Sequence, residues 1–266
     1  MTWFGKILGG SIGLALGGPI GAVLGAALGH QLDHSVEDMK RAALLNASRT
    51  KPTNPRSRST SPAELEQEQL VFFVCVFSML AKLAKADGVI SKDEIAMVDR
   101  FMKEDLQLDA ERSKFAINIF REAKSSPSGF EEFAHQFYEV FRGRNVILEN
   151  LLDTLLRLAA IDGKIAAAEE AMLRSATRIF HISEAQYQRI ASRHRQDSGA
   201  HYAVLGLTKT AGEAEIKKAY RRLALLNHPD RVHAKGLPAE FTKVANEKFR
   251  AIQEAYDSIR KERGFA

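Results

Sequence analysis

The sequence predicts an all-α protein with three parts: an amino-terminal glycine-rich transmembrane helix, a helical bundle and a carboxy-terminal helical hairpin. Three observations predict this fold class. The 26 residues of 7–32 contain no Asp, Glu, Lys or Arg. Apolar residues recur with helical spacing from residue 63 onward. The balance of charge also changes abruptly twice along the chain.

The charge is divided among three segments. Residues 1–62 hold 7 basic and 3 acidic side chains, residues 63–200 hold 18 and 22, and residues 201–266 hold 13 and 8. The formal charge of +5 is therefore a sum of unlike parts and does not point to one anionic partner.

Residues 1–32 are predicted to form a glycine-zipper transmembrane segment. About 20 apolar residues suffice to cross the hydrocarbon core as a helix. Glycine recurs at every fourth position, so the glycines form a row that winds slowly around a helix. Two helices with such rows can cross in a right-handed manner with their backbones close together. The row consists of Gly5, Gly9, Gly13, Gly17, Gly21, Gly25 and Gly29. We therefore expect one spanning helix that pairs with a second copy of itself.

Two other interpretations of this segment stay open. A cleaved signal peptide would use Ala27-Leu28-Gly29 as its small-residue site, although the apolar stretch is longer than such peptides usually have. A helical hairpin would break at Gly17-Gly18-Pro19, but each half would be too short to span.

The flanking charges predict the orientation of the segment. Lys6 alone precedes it, whereas six basic residues follow it between positions 40 and 58. Cytoplasmic flanks carry the basic excess, so the bulk of the chain should be cytoplasmic.

Residues 33–62 are predicted to be a basic flexible linker, because 46–62 combines three prolines and four basic residues with no acid. The basic side chains of this linker could bind anionic lipid headgroups. A solvated tether without lipid contacts is an equal alternative.

Residues 63–195 are predicted to be a helical domain with an internal repeat. Apolar spacing predicts helices near 64–86, 91–105, 110–125, 128–142, 145–161, 167–180 and 184–195. The segment 84–94 aligns with 159–169, and Asp, Gly, Ile and Glu match in both copies. An EF-hand is not expected, since Leu83 and Leu158 stand where the first oxygen ligand is required.

A two-copy helical unit that carries A-D-G-x-I-S-x-x-E, here at 86–94, resembles the TerB-like (tellurite-resistance) domain. That resemblance implies an all-helical bundle and, in some such domains, metal binding through acidic residues. The positions to which it points are Asp87, Glu94, Asp162 and Glu169. A solvated acidic surface explains the same residues.

Residues 196–200 are predicted to be a hinge, and residues 201–266 a helical hairpin. A short helix at 202–206 precedes longer helices at 213–227 and 239–263. The apolar rows expected to face each other are Ile216, Tyr220 and Leu223 on one helix and Phe241, Phe249, Ile252, Tyr256 and Ile259 on the next. The tripeptide at 228–230 would then lie at the open end of the hairpin.

Four motifs in order resemble the J-domain of DnaJ-type co-chaperones. They are H-Y-A-V-L-G at 201–206, I-K-K-A-Y-R-R-L-A at 216–224, H-P-D at 228–230 and K-F-R-A-I-Q-E-A-Y at 248–256. The resemblance implies that His228, Pro229 and Asp230 trigger ATP hydrolysis in a DnaK-type chaperone. The basic face that it assigns to the acidic surface of that chaperone consists of Lys217, Lys218, Arg221 and Arg222. Pro229 also restricts His228 to extended conformations, which suits a rigidly presented loop.

The three parts together resemble the DjlA family of membrane-anchored bacterial co-chaperones. This implies a co-chaperone, not itself an enzyme and without a cofactor, that recruits a DnaK-type chaperone to the cytoplasmic face of the inner membrane. The alternative is a metal- or stress-sensing TerB-like scaffold in which the J-domain is secondary. Nucleic-acid binding is disfavoured because no aromatic stacking surface accompanies the basic residues. The single cysteine, Cys75, lies in an apolar run and is predicted to be a buried small hydrophobe.

Overall fold

The computed structural model of the chain describes residues 17–29, 62–86, 92–160, 165–194 and 200–265. All regular structure in these ranges is helical, which confirms the all-α fold class. The helices are α1 (Gly18–Gly29), α2 (Pro62–Leu83), α3 (Lys92–Arg100), α4 (Ala110–Ser125), α5 (Phe130–Phe141), α6 (Asn145–Ala159), α7 (Ala167–Ile179), α8 (Glu184–Ala191), α9 (Ala200–Val204), α10 (Glu213–Leu226), α11 (Pro229–Ala234) and α12 (Thr242–Arg263). We call α2–α8 the bundle and α9–α12 the hairpin. The predicted linker 33–62, apart from Pro62, and all but residue 200 of the predicted hinge 196–200 lie outside the described residues.

The predicted helices of the bundle are found at nearly the predicted positions. The prediction 110–125 coincides with α4, and Asp109 caps that helix by accepting a hydrogen bond from the Arg112 backbone N–H at 2.8 Å. The prediction 91–105 corresponds to α3 followed by a π-helical turn, Phe101–Asp105. The prediction 184–195 corresponds to α8 and a short 3₁₀ turn, Ser192–His194.

Helix α2 is the centre of the bundle. Residues 70–77 are all buried, so this helix is covered on most of its surface by α1, α4, α5 and α6. Its phenylalanines make the aromatic contacts of the core: the Phe72 ring lies 5.8 Å from that of Phe137, and the Phe73 ring lies 4.9 Å from that of Phe77. Cys75 is fully buried as predicted, and burial raises the pKa of its thiol well above the ordinary value.

Helix α1 packs on α2, α4 and α5 through one apolar face. Ile20, Val23, Leu24 and Ala27 form this face, and all four are buried. Gln136 of α5 fixes the start of the helix, because its side chain accepts a hydrogen bond from the Ile20 backbone N–H at 2.8 Å and donates one to the Gly17 carbonyl. In the ranges that the structure describes, no helix has the length and apolar character needed to cross a membrane.

Part of the predicted glycine row falls in α1. Gly17, Gly21, Gly25 and Gly29 belong to the described residues, whereas Gly5, Gly9 and Gly13 lie outside them. Gly17 and Gly25 are exposed, and a Cβ added at either would meet no atom within 4 Å. Gly25 of α1, and Gly17 just before the helix, therefore face away from the bundle.

The hairpin has a small core of its own between α10 and α12. Most of the predicted facing residues are found in it: Ile216 and Leu223 are buried against Ile252 and Ile259. Phe249 was predicted to belong to this core and does not, because its ring packs against His228 instead. Tyr220 and Tyr256 stack across the pair, with ring centroids 4.1 Å apart. Two antiparallel helices joined by aliphatic and aromatic contacts are thus the frame that carries the residues at 228–230.

The predicted place of Phe241 in this hairpin core is wrong. Its ring packs instead in the bundle, 4.9 Å from Phe72 and 6.3 Å from Phe101. The reason is local: Phe241 closes a 3₁₀ turn, Ala239–Phe241, that follows Pro238, so it is not on the helical face that continues through α12. Val232 and Leu237 join it in the bundle core, so this part of the hairpin is docked on the bundle while α10 and the rest of α12 keep their own core.

Replacing Phe241 with alanine is expected to destabilise the bundle although the residue belongs to the hairpin. A buried phenylalanine truncated to alanine costs about 3–5 kcal/mol of unfolding free energy. Phe249→Ala in the same helix is the control, since Phe249 is only half-buried and should cost less than half as much. Urea unfolding of the full chain in detergent, followed by circular dichroism, measures both losses. Equal losses would show that Phe241 does not hold the two parts together.

Candidate functional site

The tripeptide at 228–230 lies where α10 ends and a further helix begins. Asn227 ends α10: its buried side-chain amide donates to the Leu223 carbonyl at 2.9 Å. His228 then forms the amino-terminal cap of α11, with Pro229 in the first turn. The six-residue helix α11 was not predicted from the sequence, although proline at the first helical position was a signal for it. The tripeptide is therefore a helix start with fixed backbone angles rather than an open loop.

The side chains of the tripeptide face solvent. His228 is 49% exposed and Asp230 is 91% exposed, with 3.8 Å between the His228 Nδ1 and Asp230 Oδ2 atoms. The His228 ring rests edge-on against Phe249 of α12, with centroids 5.6 Å apart. Val232 in the next turn is buried in the bundle core. An anchored backbone thus presents an exposed imidazole and an exposed carboxylate side by side.

The predicted basic face lies on α10, one to three turns before the tripeptide. Lys218, Arg221 and Arg222 are exposed. Lys217 is half-buried: its ammonium group is 2.7 Å from a Glu213 carboxylate oxygen and 5.4 Å from the centre of the Phe265 ring. The structure therefore brings three of the four predicted cations to the surface and leaves Lys217 partly engaged within the hairpin.

A buried charged contact joins the hairpin to the bundle, and sequence reasoning missed it. Lys248 of α12 donates a 3.1 Å hydrogen bond to the Asn150 side-chain oxygen of α6, and its Nζ atom lies 3.9 Å from Asp153. Asp153 also accepts from Arg193 at 2.7 Å and contacts the His194 ring at 2.8 Å. A single acid, flanked with Thr154 by two pairs of leucines in 151–156, was the signal that could have found it.

Burial and charge compete in this contact. Burial alone would raise the pKa of Asp153, but Arg193, Lys248 and His194 hold it well below its ordinary range. Burial lowers the pKa of Lys248 to about 8, against the opposing attraction of Asp153. Both groups are ionised near neutral pH and nearly inaccessible to solvent. Asp153 keeps Arg193 and His194 if Lys248 is removed, whereas Lys248 loses its nearest carboxylate if Asp153 is removed, so the loss of Asp153 should be the costlier change.

The acidic residues considered for a metal are not brought together by the described part of the chain. Asp87 and Asp162 lie outside the described residues, as does the side chain of Glu94. Glu169 accepts a 2.9 Å hydrogen bond from the Ala166 backbone N–H, which is a helix-capping role. Within the described ranges, no group of three or more His, Cys, Asp or Glu side chains has the geometry to hold a metal ion.

Comparison with known protein families identifies three matching regions. Residues 1–50 match the co-chaperone DjlA transmembrane domain, residues 74–192 match the tellurite resistance protein TerB, and residues 200–263 match the DnaJ domain. No solved structure gives a significant match.

Several curated co-chaperone proteins match most of the chain. The co-chaperone protein DjlA of Coxiella burnetii is 32% identical over 225 residues, which is 78% of this chain and 82% of that protein. Those of Photobacterium profundum and Vibrio cholerae are each 33% identical, over 77% of this chain and 83% and 81% of their own lengths.

The buried lysine predicts an unusual pH dependence of stability. The folded-state pKa of Lys248 is about 8, and an unfolded lysine titrates near 10.4, so the unfolded chain binds more protons between these values. Stability contributed by this group therefore rises with pH across that window, by about 2 kcal/mol from pH 7.5 to 10. Urea unfolding at the two pH values, compared with Lys248→Met, isolates the effect because the other lysines titrate alike in both proteins. Identical pH profiles would contradict the assignment.

Proposed function

The chain belongs to the DjlA family of co-chaperones, and from this membership we propose that it recruits a DnaK-type chaperone to the cytoplasmic face of the bacterial inner membrane and stimulates ATP hydrolysis there. The observation that carries the proposal is the exposed His228-Pro229-Asp230 corner, held at the start of α11. The family consists of co-chaperones, and the ATP chemistry belongs to the partner.

The geometry supports two successive roles for the hairpin. The exposed cations of α10 attract an acidic surface over a distance of about 8–10 Å at physiological ionic strength, which favours encounter and orientation. The rigid corner then presents the His228 imidazole and the Asp230 carboxylate as a hydrogen-bonding pair. Because α11 is anchored in the bundle core through Val232, little conformational freedom is lost when the partner binds.

The amino-terminal segment supports a membrane location for this activity. Its match to the family's transmembrane domain, and the basic residues that follow it, favour a single-pass anchor with the bundle and the hairpin in the cytoplasm. In the anchored state α1 would leave the face of the bundle on which it packs in the structure. The basic linker 33–62 would lie near anionic lipid headgroups. Anchoring raises the local concentration of the recruited chaperone near membrane-associated clients.

The same segment supports self-association. The exposed side of α1 carries Gly17 and Gly25, where an added Cβ meets nothing within 4 Å. A second glycine-lined helix can approach such a surface closely, and the regular four-residue spacing continues toward the amino terminus. We propose that two copies pair through this row.

His228→Gln is expected to abolish stimulation of the chaperone ATPase. The substitution removes the imidazole that α11 presents while keeping a polar side chain of similar reach. His201→Gln is the matched control, because His201 is also an exposed histidine of the hairpin and lies outside the tripeptide. Single-turnover ATP hydrolysis by a DnaK-type chaperone, with the full chain in detergent, is the measurement. Stimulation that survives His228→Gln would refute the proposed function.

Pairing through the glycine row predicts that larger side chains separate the two copies. Replacing Gly13, Gly17 and Gly21 with leucine should reduce crosslinking in membranes several-fold, since the backbones no longer approach closely. Ala15→Leu adds the same side chain off the row and is the control. Crosslinking that falls equally in the control, or in neither protein, would contradict the assigned interface.

A further inference from the structure

A cleft separates the bundle from the hairpin beside the basic face. It has a volume of about 470 Å³, which is large enough for several side chains of a partner. The bundle contributes Asn145, Ala185 and Arg189 to one wall, and α10 contributes Arg222 and Leu226 to the other. Arg222 belongs to the basic face, and Leu226 lies two residues before the tripeptide. The cleft is therefore continuous with the surface that the proposed function uses.

The bundle wall of this cleft carries a buried cation with spare hydrogen-bonding capacity. One terminal nitrogen of Arg189 donates to the Glu149 carboxylate at 2.6 Å. The other, Nη1, is buried and has no hydrogen-bond partner in the described part of the chain. The Arg189 side chain is only 6% exposed, so this unmet donor carries a desolvation cost. Glu149 lines the same wall and compensates the charge of Arg189, so what this wall leaves unmet is a hydrogen bond and not a charge.

The hairpin wall is apolar as well as basic. Leu226, which lines the cleft, is 36% exposed, and its neighbour Leu225, which is not part of the lining, is 59% exposed. Arg222 lies one turn before Leu226 on the same helix. The wall thus fits a segment that carries an acidic side chain next to an apolar one. A free inorganic anion fits it less well, because it would leave the exposed leucine side chain in contact with water.

We propose that an acidic and apolar segment of the DnaK-type chaperone inserts into this cleft, so that the bundle supplies one of its two binding walls. The inference rests on the proposed function and extends it from the hairpin to the TerB-like part of the chain. Arg222 sets the acidic requirement, because the charge of Arg189 is already compensated by Glu149, and Leu226 sets the apolar one.

The test changes the charge of the bundle wall without touching the hairpin. Ala185 is exposed near the start of α8, so both Glu and Lys are tolerated there. A carboxylate at 185 lies one turn before Arg189 and repels an acidic occupant of the cleft. Ala185→Glu should raise the chaperone concentration needed for half-maximal ATPase stimulation five- to tenfold, and Ala185→Lys should lower it about twofold. The maximal stimulation should stay unchanged in both.

The matched controls are Ala110→Glu and Ala110→Lys, which make the same changes in the first turn of α4, outside the cleft. If Ala185→Glu behaves like Ala110→Glu while the wild type stimulates normally, the cleft inference is overturned and the proposed function stands. If the wild type itself gives no stimulation, the proposed function fails. If Ala185→Glu changes self-association in sedimentation and leaves chaperone binding intact, the cleft accepts a second copy and the inference is again overturned.

Discussion

The packing of Phe241 against Phe72 is the contact on which the rest of the structure depends. It places a residue of the hairpin inside the core of the bundle, 4.9 Å from the centre of the Phe72 ring. A buried aromatic pair that joins two parts of a chain fixes their relative position, because truncating either ring leaves a cavity in both. The start of α11, and with it the exposed tripeptide, is held by the same core through Val232.

The charged contact between Lys248 and Asp153 adds specificity to this apolar joint. Buried ion pairs contribute little net stability, since desolvation offsets most of their attraction. They are intolerant of misalignment, however, because a displaced partner leaves a buried charge unpaired. In this protein the pair selects one orientation of α12 on α6, and that orientation leaves the cations of α10 exposed beside the cleft.

The sequence was sufficient to predict elements whose information is local. The helices of the bundle follow from apolar periodicity, and the facing rows of α10 and α12 follow from the same spacing. The tripeptide was found because flanking motifs gave it a context. The contacts of Phe241 and Lys248 were not predicted, because their partners lie in the bundle, far away in the sequence. The spacing of apolar residues within a helix does not tell which distant residues it will contact. The six-residue helix α11 is too short to show a helical repeat of apolar residues, so the proline in its first turn was the one sequence signal for it.

A distance measurement between the bundle and the hairpin tests the central claim, which is that the two parts form one rigid unit. Spin labels at Glu111→Cys on α4 and Glu254→Cys on α12 occupy exposed positions, and the native Cys75 is buried. Pulsed electron paramagnetic resonance on the full chain should give a single narrow distance distribution, which Phe241→Ala broadens. A broad distribution in the otherwise unaltered protein would show that the hairpin is tethered rather than docked, and would contradict the account.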